Sequence, residues 1–527
     1  MIGRFQWVLR TARRHAADRS RRSAAGFVRV LPDQPHRAQV KRWEDGSVVL
    51  GHDLVRRYET ALELPEGQLL RSVDLLARED DPLRRGPALP PTTVPDDVVL
   101  EAMPLLEKVL TYEPMTGVEW DRFSMLVSLV PHVLVRSRDW ETLLHRLTLE
   151  TSVSTGLEYA HRWEAAVRLG GDRSVTGVLI ELIESALIDD DVQLYSDYAT
   201  LLRYTPDPRG HDVLLRALTA PPNPRSLWAS LSTATTLVRH GLVDHGVAQE
   251  MLAVAADVVA DEAQPLRTRK AGASLALRAE SRTFPDATGR GRRLRLTAQQ
   301  RREVRDVLAW TGLERERQDA VRAATLDALA RDVPSDVRDP DLAALLDTAL
   351  DEPHLDRRDT ALAVLLLAPQ GRTLGRVVAQ DLAGAVDADD TGRAVADLSM
   401  LSFLAQPEDV PLLLDLALGR RGDAELMSHA GAALGNVPPP APGADTVDPQ
   451  LHAYAVAHLT DPAAPRTPVD PGNAWGVCYA LGMRGRFDLL EDLLDRAHPR
   501  DDAAWVSALT WWATLPEVLR PPVPRAG

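Results

Sequence analysis

The sequence predicts an all-α protein: a small N-terminal bundle of five helices, followed by an extended array of paired helices. Three observations carry this. Apolar residues recur at helical spacing through most of the 527 residues, with no alternating strand pattern of useful length. Ala, Leu and Arg dominate while aromatics make up only 5%, a mixture that favours helix. Similar helix pairs also recur late in the chain, and a chain of this length exceeds a single compact core.

The N-terminal elements follow in order. Residues 4–17 place Phe5, Val8, Leu9 and Ala12 on one helical face, with arginines on the other. Asp18 and Ser20 are capping residues ahead of a second helix whose apolar face is Ala24, Phe27, Val28 and Leu31. The stretch PDQPH (32–36) is a turn, because two prolines this close do not fit inside a helix. A third, basic helix covers RAQVKRWEDG (37–46), with Gly46 as its stop. The fourth spans 52–64, with Leu54, Val55, Tyr58, Ala61 and Leu62 apolar, and the fifth spans 65–78, opened by Pro65.

Charge sets this head apart. Residues 1–60 hold 13 Arg or Lys against 6 Asp or Glu, a net of +7. The whole chain is −15, which leaves −22 for the remaining 467 residues. A basic head on an acidic body points to an anion as the head's partner.

The head resembles the helix-turn-helix domain of the Xre/Cro/C1-type DNA-binding regulators. VKRWEDG (40–46) is similar to the end of that family's recognition helix, and HDLVRRYETALELPEGQLLRSVDLL (52–76) to the two helices after it, including the ALEL-P junction. The likeness covers about one seventh of the chain, with PDQPH standing where the family commonly has Gly-Val-Ser. It implies a domain over 1–78 that binds double-stranded DNA, with the third helix in the major groove. Long polar residues near the start of that helix, His36, Arg37, Gln39 and Lys41, suit base edges: Arg pairs bidentately with guanine and Gln with adenine. Val40 and Trp43 share the opposite, inward face. Arg42 is placed to reach a phosphate or an acidic neighbour. Ser20, Arg21 and Arg22 fall at the start of the second helix, where backbone N–H groups and cations hold phosphate.

Residues 79–97, rich in Pro, read as a linker, 98–515 as helical array and 516–527 as a flexible tail. Leu-Leu-Asp-x-Ala-Leu occurs at 345–350 and again at 413–418, 68 residues later, and a weaker copy starts at Leu489. Each copy reads as a helix, an acidic turn and an Ala-rich helix ending near Pro. Two units of about 34 residues fill the offset. HAGAALGNVP (429–438) resembles the second helix of a HEAT repeat, which implies a HEAT-like α-solenoid with a long surface for a protein or peptide. The acidic balance of the array argues against nucleic acid as its partner. A basic island at 283–303 reads as a solvated loop leading into a helix, with a contact to DNA backbone or to the acidic body as the alternatives, and a Pro-rich loop covers 436–450.

Chemistry motifs are missing. No phosphate-binding glycine loop, zinc pattern or nucleophile elbow occurs, so no enzyme, cofactor or metal is motivated. Cys478, the single cysteine, lies in an apolar helix and excludes an internal disulfide. Acidic runs at 189–191 and 387–390 fall at helix junctions, where Asp caps helices. No apolar run reaches membrane-spanning length and no secretory leader opens the chain, so cytoplasmic is the expected location. The expected function is a sequence-specific transcriptional regulator, a homodimer on a palindrome being one arrangement that fits. The alternative is a non-enzymatic α-solenoid scaffold with a degenerate or protein-docking head.

Overall fold

The chain is all-α. The computed structural model describes residues 2–84, 86–91, 97–130, 135–205, 207–286, 288–308, 311–350, 355–438, 446–460, 471–498 and 503–520. Among these lie 27 α-helices and one two-stranded ribbon. The 439–445 part of the Pro-rich loop and the 521–527 part of the tail fall outside the described residues. Two compact units divide the chain. The first comprises Met1–Ser152, Leu157–Arg322 and Arg338–Val364; the second comprises Val153–Gly156, Ala323–Val337 and Leu365–Gly527.

The first unit opens with α1 (Ile2–Arg14), α2 (Ala24–Val30), α3 (Arg37–Glu44), α4 (His52–Leu62) and α5 (Gln68–Asp80). Their core is Trp7, Leu9, Phe27, Leu31, Val40, Val55, Tyr58 and Val73, all nearly inaccessible. Asp18 caps only a short 3-10 turn, Arg19–Arg22, and Ser23 caps α2 through the Gly26 N–H at 3.0 Å. The fifth helix begins three residues later than Pro65. Gly67, at φ +77°, breaks the chain just ahead of it and offers no capping side chain. The buried Glu59 carboxylate of α4 caps instead, accepting from the N–H groups of Gly67 (3.0 Å) and Leu69 (2.8 Å).

The rest of the first unit consists of α6 (Val98–Leu110), α7 (Gly117–Leu129), α8 (Ser137–Ser152), α9 (Gly156–Gly170), α10 (Arg173–Ile188), α11 (Tyr195–Leu201), α12 (Arg209–Thr219), α13 (Pro224–His240), α14 (His245–Ala260), α15 (Leu266–Ser281), α16 (Ala298–Leu308), α17 (Thr311–Asp332, shared with the second unit), α18 (Pro340–Leu350) and α19 (Leu355–Leu366). The helices pack in two rows. One runs α8, α10, α12, α14, α16; the other runs α11, α13, α15. Side-chain oxygens preceding the helices start many of them: Asp172 for α10, Asn223 for α13 and Asp244 for α14. Between α15 and α16, strands β1 (Thr283–Pro285) and β2 (Gly291–Arg293) pair antiparallel, with Phe284 opposite Arg292. The basic stretch read as a loop is therefore a hairpin.

The second unit holds α20 (Gln370–Asp387), α21 (Thr391–Leu404), α22 (Val410–Ala417), α23 (Ala424–Asn436), α24 (Val447–Thr460), α25 (Pro471–Met483), α26 (Phe487–Arg496) and α27 (Ala503–Ala513). Here α21, α23, α25 and α27 pack in succession, while α20, α22, α24 and α26 each pack on a partner from that row. The second Leu-Leu-Asp motif forms most of α22, and the Ala-rich segment after it forms α23. A methyl group at Gly431 of α23 would lie 2.6 Å from the Gly476 backbone of α25, so glycine is what lets these helices meet.

Three guanidinium groups and three carboxyl groups are packed where α5 meets α7 and α9. Arg71 pairs with Asp74 (2.8 Å) and Asp121 (2.7 Å), Arg78 with Glu164 (2.8 Å), and Arg168 with Asp121 (3.0 Å) and Glu164 (3.2 Å). Burial would raise the Asp121 carboxyl, but Arg71 and Arg168 outweigh it and hold it below the usual range. The Ala88 N–H donates to Asp74, so part of the Pro-rich stretch is tied to α5. Arg168→Met should destabilise the protein by about 3–5 kcal/mol, since it leaves two carboxylates short of a buried cation; a urea titration measures the loss.

His161 lies beside this cluster, its Nε2 3.0 Å from the Glu66 carbonyl and its Nδ1 3.9 Å from Asp121. Burial, aided by Arg71, lowers its pKa against the pull of Asp121 and Glu158. A histidine kept neutral by folding contributes stability that is full above its unfolded pKa, about 6.5, and is lost progressively as pH falls from there to its lowered folded value. Urea midpoints should therefore drop between about pH 7.5 and 5.5, and His161→Gln should flatten that drop.

Candidate nucleic-acid interface

The geometry of α3 follows from which of its residues the bundle takes inward. Val40 is fully buried and Trp43 nearly so; Trp43 meets the Tyr58 ring edge-on at 6.2 Å, and Phe27 lies 4.6 Å from Tyr58 on another side. Glu44 is also buried. Its carboxylate accepts from Arg13 Nε and Nη2, both at 2.6 Å, and from the Tyr58 hydroxyl at 3.2 Å. Burial, then the neighbouring Glu44 charge, pushes the Tyr58 phenol up, which keeps it a donor. Arg10 donates to the Glu44 carbonyl at 2.8 Å and pairs with Asp339 (2.9 Å) and Asp341 (3.1 Å) at the start of α18. The end of the helix is thus fixed by side chain and backbone alike. Asp45 closes it by donating to the Lys41 carbonyl, and Gly46 follows at φ +85°.

At about 100° per residue, the face opposite Val40 and Trp43 is centred on Ala38, with Lys41 and Arg42 on either side of it and Arg37 and Gln39 at its two edges. All five are exposed. Among the described residues, Arg37, Gln39, Lys41 and Arg42 form no ion pair and no side-chain hydrogen bond. His36 is the N-cap, its Nδ1 accepting from the Ala38 N–H at 3.2 Å, which places the ring proton of the neutral form on Nε2.

The residues at the start of the second helix are placed differently. Arg21 spends its guanidinium on Asp18 (3.1 Å), the Ala61 carbonyl (2.9 Å) and Glu63 (2.6 Å). Arg22 donates to the Ala16 carbonyl at 2.9 Å. The Ser20 N–H donates to Asp18 at 2.8 Å. These three stitch the bundle together, whereas the α3 cations reach solvent. The turn between α2 and α3 holds Gln34 at φ +42°, a left-handed conformation natural to glycine, while Pro35 is buried and Asp33 pairs with Arg57.

A structural role for Glu44 is expected from the sequence, but its partner Arg13 and the ties of Arg10 join residues more than 30 positions apart, and the Glu59 cap reaches across a turn, so neither carries a local sequence signal. Among the described residues no group of three or more His, Cys, Asp or Glu is arranged to hold a metal ion, and no helix is long and apolar enough to cross a membrane. Cys478 is fully buried, and burial raises its thiol. No protein-family model matches the chain, and no curated protein matches it.

Glu44→Gln should lower the thermal midpoint clearly, by about 3 kcal/mol of stability, because Arg13 keeps its burial and loses its counter-charge. Arg37→Ala and Lys41→Ala should leave that midpoint nearly unchanged, since neither side chain has a partner to lose. Differential scanning calorimetry of the three variants separates the two faces of α3.

Proposed function

We propose that the protein is a sequence-specific DNA-binding transcriptional regulator. In this reading α1–α5 are a helix-turn-helix bundle of the Xre/Cro/C1 kind, and α3 lies in the major groove. The helix pairs that follow make a HEAT-like α-solenoid that binds a protein partner or ligand and so alters occupancy. The carrying observation is the division of α3: one face locked by Val40, Trp43 and Glu44, the other presenting four long polar side chains with no internal partner. Unspent cations and an amide on a rigid helix are what base-edge readout requires. Arg21 and Arg22 act by holding the second helix in place. Cytoplasmic residence and a homodimer on a palindromic site belong to the same reading.

A second reading has an observation of its own. The ionic cluster joins α5 to α7 and α9, which suits a non-enzymatic α-solenoid scaffold whose head is a degenerate or protein-docking helix-turn-helix bundle packed onto it. Selection from random duplexes with the purified full chain, at about 0.15 M salt, separates the two. A regulator enriches one sequence, and Arg37→Ala, Lys41→Ala or Arg42→Ala lowers affinity for it about tenfold each. An unenriched pool overturns the regulator and leaves the scaffold.

A further inference from the structure

The basic hairpin between α15 and α16 is the strongest concentration of positive charge outside the head. Residues 282–302, the hairpin with the start of α16, hold seven arginines and one carboxylate, Asp286, in a chain whose net charge is −15. Its form is fixed. Phe284 of β1 is fully buried, and Leu294 and Leu296, just after β2, are buried with it. Asp286 closes the turn, accepting from the Thr288 N–H (2.8 Å), the Thr288 hydroxyl (2.6 Å) and the Arg290 N–H (3.0 Å). The chain leaving β2 is pinned as well, because the Leu296 N–H donates to Glu280 at 3.2 Å.

Anchoring on one side leaves the cations on the other. Every residue of β2 is exposed, as are Arg290, Arg295 and Arg302. Arg292 is tied to Asp286 at 3.0 Å and Arg301 to Glu280. Arg293 has one weak tie, 3.4 Å to the Thr283 hydroxyl, and Arg290 and Arg302 have no ion-pair partner among the described residues. Like charges held this close repel, and a rigid ribbon that gathers them has an anion to meet. The composition narrows which anion. The only aromatic residue of the stretch is the buried Phe284, so no base can stack as single-strand binding requires. The two leucines face inward, so no apolar anchor is left for a lipid surface. A duplex phosphate backbone needs neither a stacking aromatic nor an apolar anchor.

We propose that this hairpin, together with the start of α16, is a sequence-independent contact to the phosphate backbone of duplex DNA, made by Arg290, Arg293, Arg295 and, from α16, Arg302. The proposal rests on the regulator reading, to which it adds a second, non-reading contact within the same compact unit as α3. Its signature is electrostatic. Each phosphate contact removed should reduce the slope of log affinity against log salt by about 0.9.

The test uses the full chain with all four arginines changed to Gln, a substitution that spares Asp286, Arg292 and the buried anchors. Affinity for a mixed-sequence duplex is measured from low to moderate salt, alongside selection from random duplexes. The expected result is a slope smaller by about two to four, at least tenfold weaker binding near 0.1 M salt, an unchanged melting temperature and the same enriched sequence. An unchanged slope overturns the hairpin contact while an enriched sequence keeps the regulator. A reduced slope with no enriched sequence in the parent protein keeps the hairpin and overturns the regulator. No binding by the parent protein overturns both.

Discussion

Six charged side chains, Arg71, Arg78, Arg168, Asp74, Asp121 and Glu164, form the constraint on which the first unit depends. Taking such groups out of water is costly, and only close mutual pairing offsets the cost. The cluster therefore tolerates little displacement of α5 against α7 and α9. From α5 the constraint passes outward through α4. Glu59 caps α5, while Tyr58, its neighbour in sequence, bonds Glu44 at the end of α3. Two adjacent residues thus connect the buried charges to the orientation of the exposed helix. The polar face of α3 is held at a set angle by contacts that begin well away from it.

The second unit is held together by shape. Its helices are short and rich in Ala, Leu and Gly, and they bury apolar surface against the next helix and the next but one. Asp390 and Asp423 start α21 and α23 by accepting from backbone N–H groups. Acidic residues of this unit are thus used at helix starts, while others pair with arginines such as Arg393 and Arg421. Net charge in such an array reports its many helix junctions as well as its partners.

Local rules were legible in the sequence. Helical periodicity gave the all-α class, the inward positions Val40 and Trp43, the stop at Gly46 and the split of the repeated motif into helix pairs. Legibility ended where the cause lay elsewhere in the chain. Pro65 looked like a helix start, but the cap comes from Glu59 and the helix waits for Gln68. Arg21 looked available for phosphate, but its partners, Ala61 and Glu63, are 40 and 42 residues away. The hairpin looks like a loop in the sequence because its strands have three residues each, too few for alternation to register. The available signal was the Asp-x-Thr-Gly turn between Thr-Phe-Pro and Gly-Arg-Arg. For the candidate interface, residue types singled out α3 but could not show that Lys41 and Arg42 flank the centre of its exposed face while Arg37 and Gln39 lie at the edges. That required knowing which residues the bundle buries.

The Arg71–Asp121 and Arg78–Glu164 pairs also bear on how such a chain can be recombined. A head joined by a passive tether can be exchanged between proteins by cutting the tether. Here the counter-charges of α5 are encoded more than forty residues downstream. An exchange at the Pro-rich stretch would strand arginines on one side and carboxylates on the other. The unit of inheritance for this head therefore extends through α9, and a transplant that respects chemistry would carry residues up to about 170 along with it.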